Sequence, residues 1–131
     1  MNITPNTESL FRIAALTHED MLASSLTLPL EILTGAAQAL GRAGRQRLST
    51  DCFSQAGGLL AIQSGLTLAT RPLSELTEAN LLIVPAIWRQ PQRVLHRHPE
   101  QIAVIEQHVG AGGLTISVGS GSFLLAETEH M

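Results

Sequence analysis

Hydrophobic residues along this chain fall into short continuous runs and into longer segments with helical spacing. Residues 10–16 and 81–84 are almost entirely apolar over the length of a strand, which is typical of strands covered on both faces of a sheet. From about residue 26 to 43 the apolar residues recur at helical spacing, with Pro29 near the predicted start and Gly44 just past the end. The pattern therefore predicts buried strands that alternate with amphipathic helices.

The remaining segments complete this arrangement. Gly65 separates two short apolar runs, which predicts a β-hairpin because glycine readily adopts the positive φ of a tight turn. The other predicted elements are a strand at 47–54, the hairpin strands at 59–62 and 66–69, a short helical turn at 73–79, a helix at 100–109 and a strand at 114–118. Because strands and helices alternate, the predicted fold class is α/β, with a mainly parallel sheet, helices on both faces and one small hairpin.

A sharp bend is predicted where the last strand meets a final helix. Residues 114–118 are apolar or β-branched, residues 119–121 are small, and residues 122–127 have helical character. A strand that turns directly into a helix through small residues is the arrangement of a nucleophile elbow, whose central residue is Ser or Cys in an enzyme. The centre here is Gly119, which has no side chain that could react. An ordinary connection between a strand and a helix explains the pattern equally well.

Composition and charge narrow the functional classes. A chain of 131 residues that is 44% hydrophobic is large enough for one domain with a single core. The net charge of −3 argues against a nucleic-acid surface, which needs a basic face. The sequence shows neither a bilayer-spanning apolar segment nor a signal peptide, and its single cysteine, Cys52, predicts an inert core thiol. We expect a cytoplasmic protein with a flexible lead-in at 1–9 and one domain at 10–131.

Polar residues near the predicted strand ends offer candidate chemistry. Ligands of parallel sheets bind beyond the carboxyl ends of the strands, so the loops after the first strand and after residues 84 and 118 should converge. His18, Glu19 and Asp20 follow the first strand and could face a ligand, although a polar surface turn is the simpler interpretation. His96 and His98 have no carboxylate or cysteine pattern beside them and predict a solvated loop. We therefore expect no metal and no cofactor.

Four segments carry a resemblance to a known family. They read LPLEIL at 28–33, SGLTL at 64–68, LLIVPAIW at 81–88 and AGGLTISVGSGSFLLAE at 111–127. In this order and spacing they resemble the ThiJ/PfpI, or class I glutamine amidotransferase-like, superfamily. The most similar branch forms the N-terminal half of AraC/XylS-type transcriptional regulators. The resemblance implies a flavodoxin-like three-layer sandwich from about residue 10 to the end of the chain.

The departures from the family pattern predict an inactive site. Catalytic members have Cys where this chain has Gly119, and an acidic residue where it has Ser25. They also have a histidine beyond the elbow helix, where this chain ends at Met131. Thiolate chemistry needs the sulfur and a neighbouring acid or base to activate it. Because the family's later strands and helix-turn-helix region are also missing, we expect either a truncated chain or a naturally short domain, with no direct nucleic-acid binding.

The same resemblance places a candidate ligand site at the carboxyl edge of the sheet. Ala86 and Ile87 match the segment that supplies the other half of the family's oxyanion hole, and Trp88 either lines a pocket there or packs over the loop. Residues 120–122 either cap the final helix through their serines or offer backbone N–H groups to an anion. The candidate pocket consists of Ser25, Ala86, Ile87, Trp88, Gly119, Ser120, Gly121 and Ser122.

Three functions remain open at this point. The preferred hypothesis is a non-catalytic ligand-sensing and dimerisation domain of an AraC-family regulator, which binds a small-molecule effector and neither a membrane nor DNA. The second is an amidase, hydratase or deglycase-type enzyme of the ThiJ/PfpI superfamily that uses an atypical nucleophile such as Ser120. The third is a structural remnant without a ligand. If the family's remaining strands are missing, the sheet and the elbow helix keep uncovered apolar surface and an unpaired strand edge, which predicts a homodimer.

Overall fold

The fold is organised around a sheet whose central strands are buried on both faces. The computed structural model describes residues 9–43, 46–62, 65–88, 91–121, 124, 126 and 127. Within these residues the sheet has six strands in the order β3-β4-β2-β1-β5-β6, and all neighbours are parallel except β3 and β4. The strands are β1 (Ser9–Leu16), β2 (Gln46–Ser54), β3 (Gly58–Ala61), β4 (Thr67–Pro72), β5 (Leu81–Val84) and β6 (Leu114–Ser117).

Helices cover the two faces of the sheet. Alternate residues of β1 point to opposite sides, so Ile13 and Ala15 pack in one apolar cluster while Ala14 and Leu16 pack in the other. The first cluster includes residues of one long helix and the second includes residues of two shorter helices, which gives three layers. The helices are α1 (Ala23–Ala43), α2 (Pro91–Arg97) and α3 (Pro99–Gly110). This confirms the predicted α/β class, the mainly parallel sheet and the hairpin of β3 and β4.

The start of α1 differs from the prediction. The helix begins at Ala23, so Pro29 lies inside it and not near its start. Proline removes one backbone hydrogen bond there. Leu26, in the turn before Pro29, is fully buried in the cluster beneath α1. Burial of this turn explains why the helix extends upstream of the proline.

The helix α2 stands where the sequence predicts only a solvated loop around His96 and His98. A proline occupies the first position of both α2 and α3, where its missing N–H costs little. Within α2 only Val94 is buried, so the segment has almost no apolar periodicity to reveal it. The predicted helical turn at 73–79 is a shorter 3₁₀ turn at Leu73–Glu75.

The cysteine of the chain lies in the sheet, as predicted. Cys52 in β2 is half-buried and packs against the cluster under α1, and burial, followed by the nearby charge of Asp51, raises the pKa of its thiol. Such a thiol is less reactive than an exposed one.

The strand β1 starts at Ser9, one residue before the predicted start, and the rest of the predicted lead-in lies outside the described residues.

Candidate functional site

The carboxyl ends of β1, β5 and β6 meet at one edge of the sheet, as predicted. The loop after β1 pairs with the loop after β5 through an isolated bridge between Met21 and Ile87. The Leu22 N–H donates to the Ala86 carbonyl at 2.9 Å, and the Trp88 N–H donates to the Asp20 carbonyl at 2.6 Å. These bonds join the two loops into one surface, which we call the carboxyl edge.

The predicted bend is present, with Gly119 at its apex. A 3₁₀ turn at Gly119–Gly121 begins two residues after β6 ends, and Gly119 has a φ of 50°. This is the left-handed region, which glycine adopts without the cost that a side chain would add. A Cβ added at Gly119 would lie 3.7 Å from the Ala86 Cβ, in ordinary contact. The apex therefore has room for a side chain, but it presents none.

Two serine hydroxyls accept hydrogen bonds from the backbone N–H groups that the family resemblance assigns to an oxyanion hole. The Ala86 N–H donates to Ser25 Oγ at 2.8 Å, and that hydroxyl donates to the Leu22 carbonyl at 2.6 Å. The Ile87 N–H donates to Ser120 Oγ at 2.8 Å, and that hydroxyl donates back to the Ile87 carbonyl at 3.0 Å. Neither amide points at an open position for a developing charge, as an oxyanion hole requires.

The same geometry decides what Ser120 can do chemically. Its single proton is donated to a backbone carbonyl, and no side-chain base of the described residues forms a hydrogen bond with its oxygen. A serine nucleophile needs a neighbouring base to take its proton. Ser120 therefore acts here as a clamp between the bend and the loop after β5.

The other predicted pocket residues lie around this clamp. Gly121 is buried against the end of β5, whereas the Trp88 side chain is 48% exposed at the rim of the carboxyl edge. Ser122 lies outside the described residues. The structure thus brings Ser25, Ala86 and Ile87 together with Gly119–Gly121, in a tightly bonded arrangement.

A buried polar cluster at this edge was missed by the sequence analysis. His18 and Asp20 are buried, so the expected polar surface turn is wrong for both, and only Glu19 is partly exposed. The His18 ring lies 5.2 Å from the ring of His98, centroid to centroid. His98 is also buried, at the junction of α2 and α3, whereas His96 is exposed. The predicted solvated loop is therefore wrong for His98.

Hydrogen bonds and ion pairs hold this cluster together. The Asp20 N–H donates to His18 Nδ1 at 3.2 Å, and Gln101 Nε2 donates to the Thr17 carbonyl at 2.8 Å. Arg97 lies 3.4 Å from a Glu19 carboxylate oxygen and 3.9 Å from one of Asp20. The same Glu19 oxygen is 3.5 Å from His98 Nε2. The cluster thus ties the loop after β1 to the helix pair.

Burial and charge set the protonation of this cluster. Burial, aided by nearby His98, lowers the pKa of His18 from 6.5 to about 4, and Glu19 and Asp20 oppose this only in part. Burial acts to raise the pKa of Glu19, but a backbone hydrogen bond and its electrostatic interactions with the neighbouring His98, His18 and Arg97 leave it lowered. His18 is therefore neutral at pH 7, with Nδ1 accepting a hydrogen bond. Across the described ranges, no group of three or more His, Cys, Asp or Glu side chains is arranged to hold a metal ion.

No local signal would have revealed the histidine pair. His18 and His98 are separated by most of the chain, and each stands among polar or proline neighbours typical of loops. Their burial follows from the pairing of two loops and the position of a helix that the hydrophobic pattern did not show.

Comparison with solved structures finds the same fold in two larger proteins. A candidate transcriptional regulator from Vibrio parahaemolyticus is 21% identical over 93% of this chain, with a TM-score of 0.78. An AraC family transcriptional regulator from Pseudomonas putida is 20% identical over 91% of this chain, with a TM-score of 0.73. The chain spans 63% and 61% of the lengths of those two proteins.

The two sequence comparisons find no match. No protein-family model matches the chain, and no curated protein is similar enough in sequence to be matched to it. The helices in the described part of the chain are all too short or too polar to cross a membrane. The comparisons therefore show a shared fold.

Proposed function

We propose that this chain is a non-catalytic ligand-sensing and dimerisation domain of an AraC-family transcriptional regulator that acts in the cytoplasm. The observation that carries the proposal is the bend itself, where Gly119 presents no reactive group and the Ser120 hydroxyl is engaged on both sides by Ile87. The fold shared with two larger regulators supports the same assignment. DNA binding would then belong to a part of the regulator other than this chain.

We also propose that the fold belongs to the ThiJ/PfpI superfamily. When the hairpin strands β3 and β4 are set aside, the parallel strands stand in the order β2-β1-β5-β6. This corresponds to the order 2-1-3-4 of a flavodoxin-like sheet. The bend after β6 then occupies the position of the superfamily's nucleophile elbow, with Gly119 in place of its cysteine.

At the carboxyl edge the backbone N–H groups of Ala86 and Ile87 already donate hydrogen bonds to serine hydroxyls, so an effector there would not bind through them. We propose that it binds against the exposed Trp88 ring and the Gly119 apex, over the clamp formed by Ser25 and Ser120. Ala86, Ile87 and Gly121 form the backbone beneath this site. An aromatic ring half in solvent offers a large apolar contact for such a ligand. The site is suited to binding and not to bond formation.

A ligand screen together with an activity assay tests this function. We expect some small molecules to raise the thermal unfolding temperature and to change the fluorescence of Trp88, the only tryptophan of the chain. We expect no turnover of amide, nitrile or glycated substrates. Turnover that Ser120→Ala abolishes would instead establish the enzyme alternative. A chain that no compound stabilises would favour the structural remnant.

Dimerisation has its own structural support. On the side of the sheet that α1 covers, Ile32 of α1 and Leu114 of β6 are each 63% exposed, and Leu28 and Ile116 are also exposed. In the described sheet β6 is an edge strand, with one row of backbone groups left unpaired. We propose that a second copy of the chain covers this apolar surface.

Substitution of the exposed apolar residues tests the dimer. We expect Ile32→Glu and Leu114→Glu to weaken self-association at least about tenfold, because each places a charge in an apolar contact. Light scattering coupled to size-exclusion chromatography measures the effect. Leu59→Glu is the matched control, since Leu59 is 79% exposed on β3 at the opposite edge of the sheet. A wild-type chain that is monomeric at high concentration would contradict the proposal.

A further inference from the structure

A cleft lies at the amino edge of the sheet, at the end opposite to the bend. Its volume is about 440 Å³, and it is bounded by the start of β1, the segment at 76–80 and the last turns of α3. Clefts of this size commonly bind small molecules. The partly buried Leu76 and Val104 contribute apolar surface, and Leu10 adds to it from β1.

The walls of this cleft are fixed by hydrogen bonds that need no ligand. The Asn80 side chain accepts a hydrogen bond from the Arg12 N–H at 2.8 Å, and the Asn80 N–H donates to the Arg12 carbonyl at 2.8 Å. On the far side, His108 Nε2 lies 2.7 Å from the Leu114 carbonyl and so links α3 to β6. Since a carbonyl only accepts, this nitrogen carries the proton. The cleft is therefore largely preformed, which limits the ordering cost of binding.

Arg12 is the chemically distinctive residue of the cleft. It occupies the same row of β1 as Ala14 and Leu16, which face the α2 and α3 side and are buried there. Among the described residues, no carboxylate lies within ion-pair distance of its guanidinium. Arg12 is exposed, and a guanidinium matches the planar, two-oxygen face of a carboxylate. Glu78 also lines the cleft, and its charge would repel a second negative group on the same ligand.

We propose that the amino-edge cleft binds a small organic monocarboxylate with an apolar body. Its carboxylate pairs with Arg12, and its hydrocarbon part packs against Leu10, Leu76 and Val104. This inference rests on the proposed sensing function, to which it adds a second site and a ligand class. The ligand binds away from the bend, so it uses none of the residues of the carboxyl edge.

A matched set of ligands and variants tests the cleft. Hexanoate and benzoate are titrated into the whole chain alongside hexanamide and benzamide, which have the same shape without the charge, and adipate, which has two charges. Binding is followed by calorimetry and by thermal unfolding. We expect each carboxylate to bind at least about tenfold more tightly than its amide, because the amide cannot form the hydrogen-bonded ion pair with Arg12. We expect a difference of the same size from adipate, because Glu78 repels the second charge of that ligand.

Two arginine variants separate the cleft from general charge effects. We expect Arg12→Gln to weaken carboxylate binding at least about tenfold. Arg93→Gln, on α2 and outside the cleft, should leave binding unchanged. Trp88 fluorescence should not respond to the carboxylate, since Trp88 lies at the other end of the sheet.

The outcomes distinguish this inference from the proposed function. Equal binding of carboxylate and amide, unchanged binding in Arg12→Gln, or no binding by the carboxylates while other compounds bind near Trp88 would each overturn the cleft assignment alone. If no compound of any class stabilises the chain, the sensing function fails and the cleft assignment fails with it.

Discussion

Acidification from pH 7 to pH 4 is expected to remove about 3 kcal/mol of folding stability through His18 alone. In the unfolded chain this histidine titrates near 6.5, whereas burial and the neighbouring His98 lower its pKa in the fold to about 4. As the pH falls through 6.5, His18 therefore binds a proton in the unfolded state but not in the folded state. The stability is fully present above pH 6.5 and declines as the pH falls to about 4.

Urea unfolding of wild-type protein and of His18→Asn at several pH values between 7 and 4 measures this effect. The asparagine retains an acceptor for the Asp20 N–H but has no group that titrates in this range. We expect the variant to be less stable at pH 7 because it packs less well, yet to lose less stability on acidification. Glu19, whose pKa is lowered, also contributes stability that is lost in acid. His98 and Arg97 remain beside it in the variant, so most of this loss is common to both proteins.

The exposed His96 supplies the control for this experiment. It lies on α2 close to His98 in sequence but outside the buried cluster. We expect His96→Asn to follow the wild-type pH profile. If His18→Asn has as steep a profile as wild type, the buried histidine does not control the acid response.

The sequence predicted the elements that the residues of the segment itself determine. Each strand of the sheet was predicted because a run of apolar or β-branched residues itself favours an extended segment that packs in a sheet. Gly65 marked the hairpin, where its φ is 88°, and Gly119 marked the bend, where its φ is 50°. These glycines adopt conformations that other residues avoid, so their positions carry structural information.

Features that depend on distant partners could not be predicted in this way. The serine hydroxyls of the carboxyl edge reach Ala86 and Ile87 across 61 and 33 residues of chain. The histidine pair depends on α2, whose single buried residue, Val94, gave no periodic signal. The amino-edge cleft likewise gathers Arg12 with residues from two later segments, and nothing near Arg12 in sequence distinguishes it from a solvated arginine.

Gly121→Ala is expected to destabilise the fold by about 3 kcal/mol, at the upper part of the range for overpacking. A Cβ at this position would lie 2.5 Å from the Pro85 carbonyl oxygen and 2.6 Å from that of Val84. Both atoms belong to the backbone at the end of β5, which is paired on both sides and continues into the loop held by Ser25 and Ser120. Neither can move without disturbing the centre of the sheet.

A comparison of three glycines separates crowding from backbone conformation. Gly119→Ala meets only the Ala86 Cβ at 3.7 Å, so its expected cost of roughly 1–2 kcal/mol comes from the positive φ. Gly35→Ala, in α1, meets no atom within 4 Å and should stabilise the helix by about 1 kcal/mol. Chemical denaturation of the three variants should thus rank Gly121→Ala below Gly119→Ala, and Gly35→Ala above wild type. If Gly121→Ala unfolded at the wild-type denaturant concentration, the bend could not be packed against β5 as described, and the clamp between Ser120 and Ile87 would lose its structural basis.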